Sequence, residues 1–198
     1  MSTERVRLER QLRFALEADA LKRVLRQTRT TGERRRENSA EHSWHLALLA
    51  VLLAEHAAPE VDVSRVIRMV LVHDLVEIDA GDTFAYDALA NLDRAAREQR
   101  AAERLFGLLP PGQAAELRAL WEEFEAGASA DARFAAALDR LQPLLQNAHT
   151  DGGTWAEHGL SRAQVLERMR PIERALPAAW PTVLRLLDAA VAAGQLRP

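Results

Sequence analysis

Val63, Val66, Ile67 and Val70 recur at the i, i+3, i+4, i+7 spacing that lines one face of an α-helix. Continued by the same rule, that face runs into Asp74 and Glu77, with His73 in line with Val66, inside the stretch LVHDLVEIDAGD at 71–82. A helix that carries its apolar stripe into two carboxylates and an imidazole has to bury them. An unpaired buried carboxylate costs several kcal/mol even after relaxation, about the size of a small protein's stability margin. A compensating positive charge is required, and a metal ion would supply it.

The rest of the chain has the same helical period. Its 198 residues suit one domain, here taken as 1–198 with a core over about 20–150 and C-terminal helices over about 155–195 packed on it. With 48% apolar and 28% charged residues, few aromatics and abundant Ala, Leu, Arg and Glu, the composition matches an all-α protein. The spacing predicts helices over 4–27, 40–57, 61–80, 93–107, 113–126, 131–148, 161–175 and 179–193, with no strand. Ser39 is the expected N-cap of the second helix, and Gly81 the expected end of the third.

Composition also excludes partners. A net charge of −3 with both signs interspersed leaves no basic surface for a nucleic-acid polymer. Cysteine is absent, which rules out disulfides and thiolate metal sites. The longest apolar run, LALLAVLLA at 46–54, is far short of the ~20 residues of a membrane span. The charged start MSTERVRLERQ lacks a signal-peptide core, so the expected address is cytoplasmic, with no membrane partner.

Four further positions bear on chemistry. His42 precedes Leu49 by seven residues and Leu53 by eleven, on the inward stripe, where it is either a satisfied core residue or a ligand. His45, one turn along, is a ligand, a group that supports a ligand, a substrate contact, or a packing or surface residue. His73 and Asp74 combine imidazole nitrogen with carboxylate oxygen, a set suited to Mn, Fe, Co or Zn; the alternative is a buried pair neutralised by arginines. Adjacent residues point about 100° apart on an ideal helix, so both reach one ion only if it lies between them or the helix is distorted. Asp139 is off the Phe134, Leu138, Leu141, Leu145 stripe, but Pro143 withholds a donor from its carbonyl and predicts a kink there. Arg34, Arg35 and Arg36, with Arg26 and Arg29 upstream, are either a solvated run or phosphate ligands placed just before the His42 helix.

His42 in ENSAEHSWHLA, His73-Asp74 in HDLVEIDAGD and Asp139 in ALDRLQPLL resemble the H…HD…D ligand set of the HD-domain metal-dependent phosphohydrolases, most closely their 5'-deoxynucleotidase-like subgroup, over roughly 20–195. The resemblance implies a single all-α HD-domain bundle with one divalent ion (Mn, Co, Fe, Zn or Mg) held by His42, His73, Asp74 and Asp139. It implies Glu77 as acid/base group and Asp82 as a contact to the sugar or the attacking water. Arg26 would hold phosphate, with Arg23 or Arg29 as alternatives in register, and Gln27 stands where the subgroup has an aromatic residue. Gln27 and His45 complete the expected substrate contacts. The implied activity is hydrolysis of (deoxy)ribonucleoside 5'-monophosphates, with a homodimer by family analogy. The rival expectations are an HD-type pyrophosphohydrolase or phosphodiesterase, which would need more cations than Arg26 and its neighbours, and a non-enzymatic, metal-stabilised nucleotide-binding module.

Overall fold

The computed structural model describes residues 3–198. In chain order the elements begin with α1 (Thr3–Ala18), β1 (Leu25–Arg29), β2 (Arg36–Asn38), α2 (Ser39–Leu52), α3 (Val63–Val72) and α4 (Glu77–Ala80). They continue with α5 (Arg94–Phe106), α6 (Pro111–Ala126), α7 (Ala130–Ala148), α8 (Gly153–Glu157), α9 (Arg162–Arg168), α10 (Arg170–Ala175) and α11 (Trp180–Ala192). The fold is all-α apart from one short hairpin.

α7 is the axis. Ala132, Phe134, Ala135, Ala137, Leu138, Leu141 and Leu144 are buried on it, and so are Asp131, Asp139, Gln142, Gln146 and Asn147. A helix buried around most of its circumference has neighbours on every side, and α2, α3, α6, α8, α10, α11 and β1 all pack against it. α7 continues through Pro143 as one helix from 130 to 148.

Three local departures from the helical reading shape the site. The first concerns residues 4–27. Val6, Leu8, Leu12 and Leu16 lie exposed along α1, a short 3-10 turn follows at Asp19–Arg23, and Val24 is extended. The chain then forms β1, paired antiparallel with β2 through Leu25↔Asn38 and Arg29↔Arg36. The absence of strands expected from spacing is thus corrected: pairing to a distant segment overrides a weak helical preference. Four residue steps on β1 face two on β2, so the ladder is irregular there, as is common beside functional sites. Arg26, Gln27 and Thr28 occupy that irregularity.

The second departure is at the start of α2. Asn38, rather than Ser39, is the N-cap: its Oδ1 accepts from Glu41 N (2.9 Å) while Glu41 Oε2 accepts from Asn38 N (3.3 Å). This reciprocal capping pins the helix start and frees Ser39 to face the interior. The third lies in the 61–80 helix. α3 ends at Val72, and the i→i+4 pattern gives way to i→i+3 bonds, Leu75 N to Val72 O, Glu77 N to Asp74 O and Ile78 N to Leu75 O, before α4 stops at Gly81 with φ 76°. The tightened turn carries His73 and Asp74, which supplies the distortion needed to aim both at one point. Residues 161–175 likewise divide into α9 and α10, with Pro171 in the first turn of α10. Among the described residues no helix is long and apolar enough to cross a membrane.

Candidate metal centre and pocket

α2 brings His42, the tightened turn brings His73 and Asp74, and α7 brings Asp139. All four are buried, and the ligand-capable atoms of His42, His73 and Asp139 lie within 4.8 Å of one another. His42 Nε2 is 3.0 Å from Asp139 Oδ1, and His73 Nε2 is 3.9 Å from the same oxygen. Asp74 flanks the trio, with Oδ1 3.0 Å from His73 Nε2 and Oδ2 4.0 Å from His42 Nε2.

The surrounding hydrogen bonds determine which nitrogen of each ring is available. Gln142 Nε2 donates to Glu37 Oε1 (2.7 Å); a carboxylate only accepts, so the amide oxygen faces His42 Nδ1 (3.0 Å), and Nδ1 carries the proton. His73 Nδ1 donates to Val70 O (2.8 Å). Both rings therefore present Nε2 to Asp139. His73 Nε2 is buried without a hydrogen-bond partner, and on His42 a lone pair faces a carboxylate oxygen. An orphaned buried nitrogen and opposed lone pairs are both costly unless a cation lies between them. Histidines held at Nδ1 by a carbonyl or amide, with carboxylates alongside, match the surroundings of metal-ligating imidazoles. The residues fit a divalent transition-metal ion.

The acids around the centre favour positive charge there. Burial disfavours the His73 imidazolium, yet Asp74 and Asp139 raise its pKa to about 9. Burial would raise Asp74, but His73 and Arg26 hold it well below the usual carboxylate range. Asp139 is likewise held low, against burial, by Arg140 and His42. Glu77 behaves oppositely. Burial first, then Asp74 and Asp82, push its carboxyl well above the ordinary range, while Arg26 and the Ser39 hydroxyl pull it back. Ser39 Oγ donates to Glu77 Oε2 (2.7 Å). Asp82 is raised by burial too, with Arg26 opposing.

The cluster opens into a cavity of about 300 Å³ lined by Arg26, Gln27, His73, Asp74, Glu77, Asp82 and Asp139, among others. His42 lies behind this surface, fully buried. His45 is outside the cavity lining, and its Nδ1 accepts from Gln142 Nε2 (3.3 Å). It supports the residue that orients His42. Of the three arginines in possible register, Arg26 reaches the cavity, donating from Nη1 to Asp74 Oδ2 (2.8 Å). Arg23 is exposed, and Arg29 pairs with Glu157. Arg34 pairs with Asp151 and Arg35 with Glu41, so the basic run belongs to the surface, not the cavity.

Sequence reasoning missed Arg94, Arg140, Arg168 and Tyr86, which also line the cavity. Arg140 could have been found through its adjacency to Asp139. Arg168 carried no signal, because nothing in the spacing tells that α9 returns to the site. Glu37, Gln142 and Gln146 form a buried polar layer beneath His42 that no single periodicity marks.

Fold and site together define a helical protein with a two-histidine, two-aspartate centre at the base of a cavity. The chain belongs to the HD-domain family, whose model, described as HD domain, matches residues 18–180. A crystal structure of a predicted metal-dependent phosphohydrolase from Magnetospirillum magnetotacticum MS-1 superposes with a TM-score of 0.92 at 55% identity, covering 98% of this chain and 100% of that one. The 5'-deoxynucleotidase HDDC2 of Homo sapiens is 32% identical over 112 residues, 57% of this chain and 53% of that protein. The Xenopus laevis protein of the same name is 34% identical over 110 residues, 56% and 53% of the respective chains. The matches span about half the length of these curated relatives.

A metal bound only by the folded state stabilises it by mass action. At a free ion concentration about a hundred times Kd the gain is about 2.7 kcal/mol, so removal by a chelator should lower Tm by roughly 5–10 °C for a chain of this size. Differential scanning calorimetry with and without chelator checks this, and an unchanged Tm would count against the site.

Proposed function

We propose that the chain hydrolyses nucleoside 5'-monophosphates to nucleoside and orthophosphate, with one divalent ion held by His42, His73, Asp74 and Asp139. The observation that carries this reading is the buried, unpartnered Nε2 of His73, one helical turn before a carboxyl whose pKa is raised, in a cavity that also contains arginine. When bound, such an ion supplies Lewis-acid activation of the phosphoryl group and lowers the pKa of the attacking water. In the reaction a water oxygen bonds to phosphorus and the bond from phosphorus to the 5'-oxygen breaks. One proton leaves the water and one arrives on the 5'-oxygen.

Glu77 is suited to carry that proton. Burial and the charges of Asp74 and Asp82 raise its pKa, which favours holding a proton there, and Ser39 holds Oε2 in place. Asp82 lines the same cavity within reach of a sugar hydroxyl or the water. Arg26 is charge-balanced by Asp74, Asp82, Glu77 and Asp139, and it holds Asp74 while presenting the rest of its guanidinium to the cavity. Asp79, on the same short helix as Glu77, turns outward to Arg104 (2.8 Å).

A second reading, cleavage of a pyrophosphate or phosphodiester, is favoured by one observation: the cavity has more arginines than Arg26 alone. Measuring kcat/KM for dAMP, AMP, ATP and a cyclic dinucleotide under each of Mn, Co, Mg and Zn separates the two. The monophosphates should be cleaved fastest, because a triphosphate brings further negative charge beside Glu77 and Asp82. Fastest cleavage of ATP or the cyclic dinucleotide would select the second reading, and cleavage of none would favour a binding module. Gln27 lines the cavity half-buried. Gln27→Trp should therefore raise the dAMP-to-AMP ratio severalfold, and an unchanged ratio would remove Gln27 from sugar selection.

A further inference from the structure

The cavity holds four arginines, and three of them already have acidic partners. Arg26 donates to Asp74 (2.8 Å), Arg94 to Glu98 (2.6 Å) with Glu125 at 3.7 Å, and Arg140 pairs with its neighbour Asp139. Arg168, half-buried at the end of α9, differs. Among the described residues no carboxylate lies within 4.0 Å of its guanidinium, whose carbon sits 5.8 Å from the centroid of the Tyr86 ring. Burial and the like charge of Arg140 push its pKa down to about 10.

A partly desolvated guanidinium beside a second one, and facing an open cavity, is an electrostatic debt that an anion relieves. The planar fork of arginine matches a tetrahedral oxyanion bidentately, and stacking on Tyr86 limits the conformations it must give up on binding. Arg140, Asp139, Tyr86 and Arg94 are the groups whose fields act on Arg168, so it stands beside the centre that Asp139 helps to build.

We propose that Arg168, with Arg140 on the same cavity wall, grips the phosphoryl oxygens of the substrate and of the orthophosphate product, so that the phosphate is held from α9 as well as from β1. This rests on the phosphohydrolase reading and adds to it a residue outside the signature positions. Arg26, committed to Asp74, then chiefly maintains the charge balance of the centre, and Arg168 supplies the anion affinity.

The test is calorimetric titration of inorganic phosphate, and separately of adenosine, into the metal-loaded protein and its Arg168→Met and Arg168→Lys variants. Arg168→Met should weaken phosphate binding about tenfold or more, the loss of a charge-assisted pair, while metal content and adenosine affinity stay as in the parent. Arg168→Lys, which keeps the charge and loses the fork, should weaken phosphate by a smaller factor, about threefold, and it decides the matter if the methionine variant does not fold. KM for AMP should rise in step with the phosphate Kd, with kcat changing much less. Unaltered phosphate affinity in the folded variants overturns the proposal, and so does a loss confined to adenosine, which would make Arg168 a base contact. A parent protein that binds phosphate through Arg168 but cleaves no nucleotide upholds the grip and overturns only the nucleotidase reading.

Discussion

Replacing His73 or Asp74 with alanine should take the protein from about one transition-metal ion per chain to none measurable, and should abolish phosphatase activity. His73 contributes the buried Nε2 that has no hydrogen-bond partner among the described residues, and Asp74 places an oxygen 3.0 Å from it. Removing either leaves too few donors in the remaining set to compete with water for the ion. Asp74→Ala has a second cost. Arg26 loses the acceptor of its 2.8 Å bond and keeps Glu37 at 3.9 Å as its nearest acid, and weakening the pairing of a buried guanidinium destabilises the fold, so this variant should also melt earlier than His73→Ala. Elemental analysis of the purified variants decides the outcome, and full metal content in both would sink the four-ligand centre.

Glu77→Ala should retain the ion and lose about 10²-fold or more in kcat, the usual contribution of a positioned proton carrier. The side chain is buried, its Oε2 is held by Ser39, and its pKa is raised by burial, Asp74 and Asp82. Burial disfavours the charged form of this carboxyl, and its removal leaves no new buried charge of its own, so the fold should tolerate the change. Near-normal turnover in a variant shown to be metal-loaded would move proton transfer to Asp82, another cavity acid with a raised pKa.

Much of this centre was legible without coordinates because its residues violate a pattern. His42, His73, Asp74 and Glu77 stand where an apolar stripe calls for core side chains, and all four are buried. Asp139 was legible only through resemblance. It lies on α7, which is buried on most sides, so no single stripe separates its inward positions from the rest. His45 differs: its spacing from His42 left a supporting role open beside a substrate contact, and it bonds Gln142 outside the cavity lining. In sequence, Arg34, Arg35 and Arg36 were open as a solvated run or as phosphate ligands, and local acids neutralise Arg34 and Arg35 at the surface.

The hairpin was not legible either. Residues 25–29 and 36–38 are too short and too polar to announce strands, and their pairing is a non-local choice. That choice delivers Arg26 and Gln27 to the cavity in place of a longer first helix. The tightened turn at 73–76 is a similar case, since an ideal helix would splay His73 and Asp74 apart.

By itself, then, the sequence determined the helical class, the positions of most helices and the need for compensating positive charge beside His73 and Asp74, because periodicity and the cost of buried charge act locally and leave marks at fixed spacing. Tertiary structure alone decided which arginines face the cavity and which are spent at the surface. It also decided that His42 presents Nε2 through the Glu37 and Gln142 bonds, and that α9 returns Arg168 to the cavity. Those outcomes depend on which distant segments pack against α7, and side-chain spacing along one element carries no information about the element it will meet.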